Sequence, residues 1–269
     1  MIAQRAALLV LVVWGVLAAC APLLTLQPDH VDLAHILRGP GVDALLGYDE
    51  LGRPLLDRLI AGAHVSLLVA LAVVSLSVLL GTVIGTTSAW LGGAVDHLIV
   101  RVIDVFLAFP GILLAIALAG ILGPGIDNVV LALTTVGWVG FARLSRAQTL
   151  SLKHREHVLA AIALGARTPR ILARHVLPLM AAPLIVEATF GVAAVIIAEA
   201  GLSFLGLGVQ PPQASWGSII QSGTSYLLVA PHLVIVPAVT LSMVVLAVNL
   251  LGDQMRDRLD VRRNHGSGG

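Results

Sequence analysis

The chain is short of cysteine, lysine, aromatic rings and charge. Cys20 is its only cysteine and Lys153 its only lysine; 12% of the 269 residues are charged and 4% are Phe, Trp or Tyr. One cysteine excludes an internal disulfide and any cysteine-built zinc or iron–sulfur site, and it leaves the redox compartment unread. One lysine excludes a phosphate-binding P-loop, because Ser145 to Leu152, the residues ahead of Lys153, contain no glycine to cradle a phosphate. Leu205-Gly206-Leu207-Gly208 lacks the third glycine and the strand setting of a dinucleotide site. No Ser, His and Asp set is spaced as a catalytic triad, so no catalytic residue is assigned.

Apolar side chain is what the sequence has in excess. At 58% hydrophobic it carries more than one soluble core buries, so lipid is its expected solvent. Six apolar runs stand out, roughly at 6–26, 63–90, 99–121, 128–147, 179–201 and 231–252. Each has the length of a membrane-crossing helix, about 20 residues, and none has the strand-length alternation of a barrel. The second is long enough to tilt or to extend past the bilayer. The fold class expected is an all-α membrane protein with six transmembrane helices.

Charge sorts the connectors. The connector at 27–62 holds Asp29, Asp32, Asp43, Asp49, Glu50 and Asp57. The one at 148–178 holds Lys153, Arg155, Arg167, Arg170 and Arg174, with Arg143 and Arg146 just before it, and the tail adds Arg256, Arg258, Arg262 and Arg263. Placing the basic connectors and both termini in the cytoplasm leaves only Arg38, Arg53 and Arg58 on the other side, as the positive-inside rule asks. Net charge, +1, says little about partners beside this placement. Arg5, the first run and Leu17-Ala18-Ala19-Cys20 also imitate a lipoprotein signal with an acylated Cys20. Small residues before a cysteine are common in apolar helices, and the spanning reading is preferred. Gly266-Ser267-Gly268-Gly269 reads as an appended remnant.

The basic connector carries its own helical pattern. Val158, Ala161, Ile162 and Gly165 share one face of a short helix at Glu156 to Leu164, and Gly165 stops it, as a terminator or at a close backbone approach. Thr168 suits an N-cap and Pro169 a first helical position, giving a second short helix limited by Pro178. Such an element fits either docking into a partner's groove or capping the bundle. His154 and His157 stand three apart and could bind a metal, but solvated histidines are the preferred reading and no metal is assigned.

Three acids fall within or near the runs and are pathway candidates: Asp104, Glu187 and Glu199. Arg101 precedes Asp104 by three residues, which predicts a local ion pair. Glu187 has no such neighbour, and Glu199 lies near the outer end of its run, within reach of water. Gly81 with Gly85, and Gly137 with Gly140, predict close helix packing. Pro110 and Pro237 can kink their helices. Trp216 fits an interfacial anchor or an outer-surface contact.

These residues carry a resemblance. Glu156-His157-Val158-Leu159-Ala160-Ala161-Ile162-Ala163-Leu164-Gly165-Ala166, followed by Ile171 and His175-Val176-Leu177-Pro178, resembles the EAA loop of binding-protein-dependent ABC importer permeases. Gly47-Tyr48-Asp49-Glu50-Leu51-Gly52-Arg53, Asp104 to Pro110, Glu199 to Pro212 continuing to Ser215-Trp216-Gly217, and Asn249 to Asp260 resemble the dipeptide, oligopeptide and nickel permeases of the DppC/OppC type.

The resemblance implies a type I importer fold, divided as an N-terminal helix with an extracytoplasmic loop at 1–62, a transmembrane domain at 63–260 with the EAA loop at 148–178, and a cytoplasmic tail at 261–269. It implies a coupling helix in which Glu156, His157, Val158, Leu159, Ala160, Ala161, Gly165 and Ala166 meet an ATPase subunit. Leu159 stands where the motif usually has an acid, which bears on a charged contact there and not on the apolar fit through Ala160, Ala161 and Gly165.

The implied partners are a homologous second permease, two ABC ATPases, an extracytoplasmic substrate-binding protein and the bilayer of the bacterial inner membrane, with no nucleic acid. ATP and magnesium would sit on the ATPases, with no cofactor on this chain and no enzymatic turnover of its own. The expected function is half of a peptide translocation pathway. Alternatives are nickel or a haem-like cargo on the same architecture, a proton-coupled secondary transporter using Asp104 or Glu187, and a membrane scaffold.

Overall fold

The computed structural model describes residues 2–42 and 44–265, with side chains for 4–42 and 44–259. Asp43 of the acidic connector, the Gly266 to Gly269 end and the side chains of Asp260, Arg262 and Arg263 lie outside that description. Among the described residues the regular structure is helical: α1 Ile2–Cys20, α2 Leu55–Leu91, α3 Gly93–Leu107, α4 Gly111–Leu122, α5 Ile126–Leu152, α6 Glu156–Ala163, α7 Thr168–Ile171, α8 Leu177–Phe204, α9 Trp216–Thr224 and α10 His232–His265. Helix is the form that lets a single apolar segment satisfy its own backbone in hydrocarbon. Five helical segments are long and apolar enough to span a membrane, and a bent pair, α3 with α4, makes six when counted as one span.

The runs read from the sequence map onto these helices with two differences. The third run is not straight: α3 and α4 meet at 86° across Ala108, Phe109 and Pro110. Proline supplies no N–H and disfavours helical geometry at Phe109 before it, so α3 ends at Leu107 and α4 starts at Gly111. By contrast Pro237 lies inside the continuous α10, as Pro183 does inside α8. The second run lies within a 37-residue helix that begins at Leu55, so the boundary drawn at 62 and 63 falls inside α2.

The chain divides into two compact units. The first comprises Met1–Val73, Ala115–Leu133 and Val192–Leu251. Its core gathers Ala18, Ala63, Ala70, Ala193, Ile196, Trp216, Val244 and Val248. Trp216 is fully buried, and its indole N–H donates to the Leu59 carbonyl at 2.9 Å. It is therefore a core residue, which corrects both readings of it as a surface side chain. Helix α9 starts from a capping box in which Ser215 and Ser218 satisfy each other's backbone N–H groups. His64 Nδ1 donates to the Ala18 carbonyl at 2.7 Å, tying α1 to α2.

The second unit comprises Val74–Leu114, Thr134–Gly191 and Gly252–Gly269. Here the predicted close packing is realised: a Cβ on Gly81 would strike the Trp138 carbonyl and Phe141, and one on Gly85 the backbone of Ala142. The bare glycines let α2 lie directly on α5. Asp96 at the start of α3 accepts two hydrogen bonds from Arg146, each 2.7 Å, and one from Ser88 at 2.7 Å. A bidentate guanidinium–carboxylate pair fixes orientation as well as distance.

Candidate functional site

The basic connector forms a compact element in the second unit. Helix α6 begins after Arg155, with Glu156 in its first turn, where a negative charge suits the helix dipole. Val158 and Ala161 face inward and are buried, as are Ile171 and Val176 further along. These four anchor the element, with Val158 and Ala161 packed into this chain.

The rest of the element exposes apolar side chains beside Glu156 and His157. Leu159 and Ile162 are about half exposed and Leu164 is 88% exposed, while Ala160 and Ala163 are exposed between them. Ile162 was expected to share a face with Val158 and Ala161; the eight-residue helix buries those two and leaves Ile162 half exposed at the edge of that face. Burying one large aliphatic side chain out of water is worth about 1.5–3 kcal/mol, so a cluster of three is a surface that a partner can cover with gain.

Gly165 ends α6 in the left-handed conformation, φ +77°, with its N–H donating to Ile162 and that of Ala166 to Ala161. A Cβ at Gly165 would meet nothing, so the backbone turn and not a close approach within this chain requires glycine. His157 packs on His175 with ring centroids 6.3 Å apart, while His154 joins no such pair. Among the described residues no group of three potential ligands is placed to hold a metal.

The second short helix starts one residue earlier than expected: Arg167 is the N-cap and Thr168 and Pro169 are the first helical residues. Pro178 does not limit it. A π-helical stretch, Leu172–Val176, carries the chain straight into α8, with Leu177 N–H donating to Leu172. The wider turn accommodates a proline that would collide with the i−4 carbonyl in a regular helix.

The three pathway candidates fare differently. Asp104 is exposed on α3 and, among the described residues, makes no ion pair with Arg101, which is exposed too; the predicted local pair is absent. Glu199 does not reach water. It is 1% exposed, and accepts hydrogen bonds from Ser203 at 2.7 Å and Ser66 at 3.2 Å. Ser203 in turn accepts from the Val209 N–H at 3.3 Å. The serines, one turn away on α8 and across on α2, supply the donors that position alone could not reveal. Glu187 is exposed and lines a cavity of about 580 Å³ together with Phe190, Val186, Leu144 and Arg256.

Sequence reasoning missed one ionic cluster, in the first connector. Asp49, 2% exposed, accepts from Arg53 Nε at 2.6 Å, from Arg58 Nε at 3.2 Å, and from the N–H groups of Leu51 and Arg53. Glu50 takes a second nitrogen of Arg53 at 2.8 Å. Gly52 at φ +71° lets the chain double back so that Tyr48 bridges to Pro54. The signal was the order Asp49, Gly52, Arg53, Arg58: two of the three arginines counted against the charge rule, Arg53 and Arg58, are already neutralised. Nearby, half-buried Asp32 is held below the usual carboxylate range by hydrogen bonds from His35 and the Ala34 N–H.

Comparisons with known proteins agree with one another. Residues 77–265 match the family of binding-protein-dependent transport system inner membrane components. The chain is 42% identical over 259 residues to a Brucella suis protein provisionally named a peptide transport system permease, covering 96% of this chain and 87% of that one. It is 38% identical over 254 residues to the dipeptide transport system permease DppC of Alkalihalophilus pseudofirmus, covering 94% and 84%. It is 40% identical over 232 residues to the glutathione transport system permease GsiD of Pectobacterium atrosepticum, covering 86% and 77%. Its fold is like that of the inward-facing MetNI methionine ABC transporter, with a TM-score of 0.56 at 20% identity over 76% of this chain and 97% of that one. With a multi-pass helical fold and a family match over most of its length, the chain belongs to the binding-protein-dependent transport system inner membrane components, as a permease subunit of an ABC importer.

Proposed function

We propose that this permease carries short peptides and takes its driving force through α6 from a separate ATPase. The observation that carries the coupling reading is the exposed Leu159, Ile162 and Leu164 face, braced from behind by Val158, Ala161, Ile171 and Val176. A small helix with a greasy outer face and a rigid base can be pushed or pulled as a body, which is what transmission of nucleotide-driven closure requires. Glu156, His157, Leu159, Ala160, Gly165 and Ala166 would meet the ATPase, with Val158 and Ala161 setting the helix angle.

The peptide reading draws on the peptide, dipeptide and glutathione permeases to which the chain is similar. A zwitterionic peptide cannot cross hydrocarbon unaided, because each unpaired charge or amide is costly to dehydrate, so a protein-lined route is needed. On this reading the chain supplies half of that route and a homologous permease the other half. Two ATPases hold ATP and magnesium, an extracytoplasmic binding protein delivers cargo, and this chain hydrolyses nothing itself. Both termini and the 148–178 loop would face the cytoplasm, with the acidic first connector outside. The working division remains an N-terminal helix and outer loop, a transmembrane domain through about residue 260, and a short tail.

The test is Leu164→Asp in the complete importer. The expected result is loss of ATPase co-purification and of ATP-driven dipeptide uptake, with the permease still extracted and folded. Wild-type uptake in that variant would exclude α6 as the coupling element.

A further inference from the structure

Two charged groups of opposite sign face one cavity. Glu187 comes from α8 and Arg256 from α10, and both line the cavity of about 580 Å³ in the second unit. Among the described residues neither side chain forms an ion pair or a side-chain hydrogen bond. The rest of the lining is apolar, with Leu144, Leu179, Val186 and Phe190 among its residues.

Packing sets the level of the two charges. A Cβ on Gly252 would lie 2.9 Å from the Phe190 ring, and Thr189 Oγ1 approaches Met255 Sδ at 3.7 Å. Residues 252–256 of α10 therefore run alongside residues 187–190 of α8. The bare backbone of Gly140 borders the carboxylate: a Cβ there would stand 3.5 Å from Glu187 Oε1. The cavity size falls in the range of about 300–1,000 Å³ usual for small-molecule sites.

A neighbouring cavity of about 820 Å³ also holds an acid and a base, Asp257 and Arg258. Those two are adjacent on one helix and point in different directions around it. Glu187 and Arg256 instead stand on different helices, so their spacing is fixed by packing; Glu187 lies within the apolar run 179–201, where an ionisable group facing a cavity marks a substrate route by default, and Arg256 lies just past the run that ends at 252.

We propose that Glu187 and Arg256 hold the two ends of a short zwitterionic peptide in transit, a reading that rests on the peptide cargo inferred above. The Glu187 carboxylate accepts hydrogen bonds from the peptide's ammonium group. The Arg256 guanidinium donates to its terminal carboxylate, where two parallel N–H groups match two oxygens. The peptide's side chains lie on the apolar wall. Both ends are thus neutralised without a geometry demanding one particular side chain, which suits a carrier of varied sequences.

The experiment uses the complete importer, with its ATPases and binding protein, in proteoliposomes supplied with ATP and radiolabelled dialanine. Glu187→Gln and Arg256→Gln are each expected to raise the KM for dialanine about tenfold or more, the effect of losing one charge-assisted contact, with a smaller change in maximal rate. Glu187→Asp and Arg256→Lys are expected to retain most of the uptake.

Wild-type KM in both Gln variants overturns the proposal. So does loss of assembled complex in the Gln and conservative variants alike, which would mark a structural role. Uptake lost in each single Gln variant but regained in the double variant would mean that the two residues pair with each other, and overturns it too. A wild-type importer that turns over ATP with its binding protein yet accumulates neither dialanine, trialanine nor glutathione overturns the peptide reading itself, and this site with it.

Discussion

Asp49 and Glu187 are both acids near arginines, and they are treated in opposite ways. Asp49 is buried and saturated, with two guanidinium groups and two backbone N–H groups on one carboxylate. Glu187 stands open in a cavity that Arg256 also lines, and among the described residues it has no partner. The first arrangement makes the connector rigid, because every lone pair is used and removing one member strands the others. The second leaves binding capacity unspent. In a lipid-embedded chain, where a lone charge is expensive, a paired acid marks architecture and an unpaired acid facing a cavity marks a place where something else binds.

Neutralising each acid should expose that contrast, and the largest effect belongs to the saturated one. Asp49→Asn leaves Arg58 buried without its carboxylate, and should destabilise the chain by about 3–5 kcal/mol in detergent unfolding experiments. Next comes the buried relay at Glu199: Ser203→Ala removes a donor to the carboxylate and an acceptor for Val209, and should cost about 1–3 kcal/mol. Gly165→Ala forces a side chain into a left-handed turn, costing about 1–2 kcal/mol locally. It should lower uptake relative to ATP hydrolysis more than it lowers melting temperature.

Glu187→Gln, judged by unfolding alone, should stay within about 0.5 kcal/mol of wild type, as exposed positions do. An unfolding cost there equal to that of Asp49→Asn would erase the distinction between the two acids. Leu159→Glu should be smaller still in stability, and it restores the acid usual at that position in the related loops. Higher uptake in this variant would assign a charged contact to the ATPase, and unchanged uptake would leave the contact apolar.

Much of this fold was legible because membrane helices announce themselves by length and apolarity. The helix that stops at Gly165, the close approaches at Gly81 and Gly85, and the break at Pro110 follow from single residues whose backbone preferences are strong. What stayed hidden depends on long-range neighbours. Glu199 looked solvent-bound because Ser66, 133 residues away in sequence, is its partner in space. Trp216 looked like a surface anchor because nothing local says that Leu59 receives its N–H. Arg101 and Asp104 have the right spacing for a pair and do not form one, since spacing permits a contact without supplying the energy to hold two exposed side chains together. In the basic connector periodicity put Val158, Ala161 and Ile162 on one face without saying what that face meets; the chain buries the first two and leaves the third half exposed, because an eight-residue helix has room for only a narrow buried stripe.

The central claim, that α6 rests against an ATP-hydrolysing partner, is tested most directly by cysteine cross-linking. With Cys20 replaced by serine, Ala160→Cys gives one reactive thiol on the exposed face of α6. In the intact importer it should cross-link to an ATPase subunit, with a yield that changes between nucleotide-free and ATP-bound states. A thiol that forms no such product and is instead labelled by an impermeant maleimide from the extracytoplasmic side would contradict it.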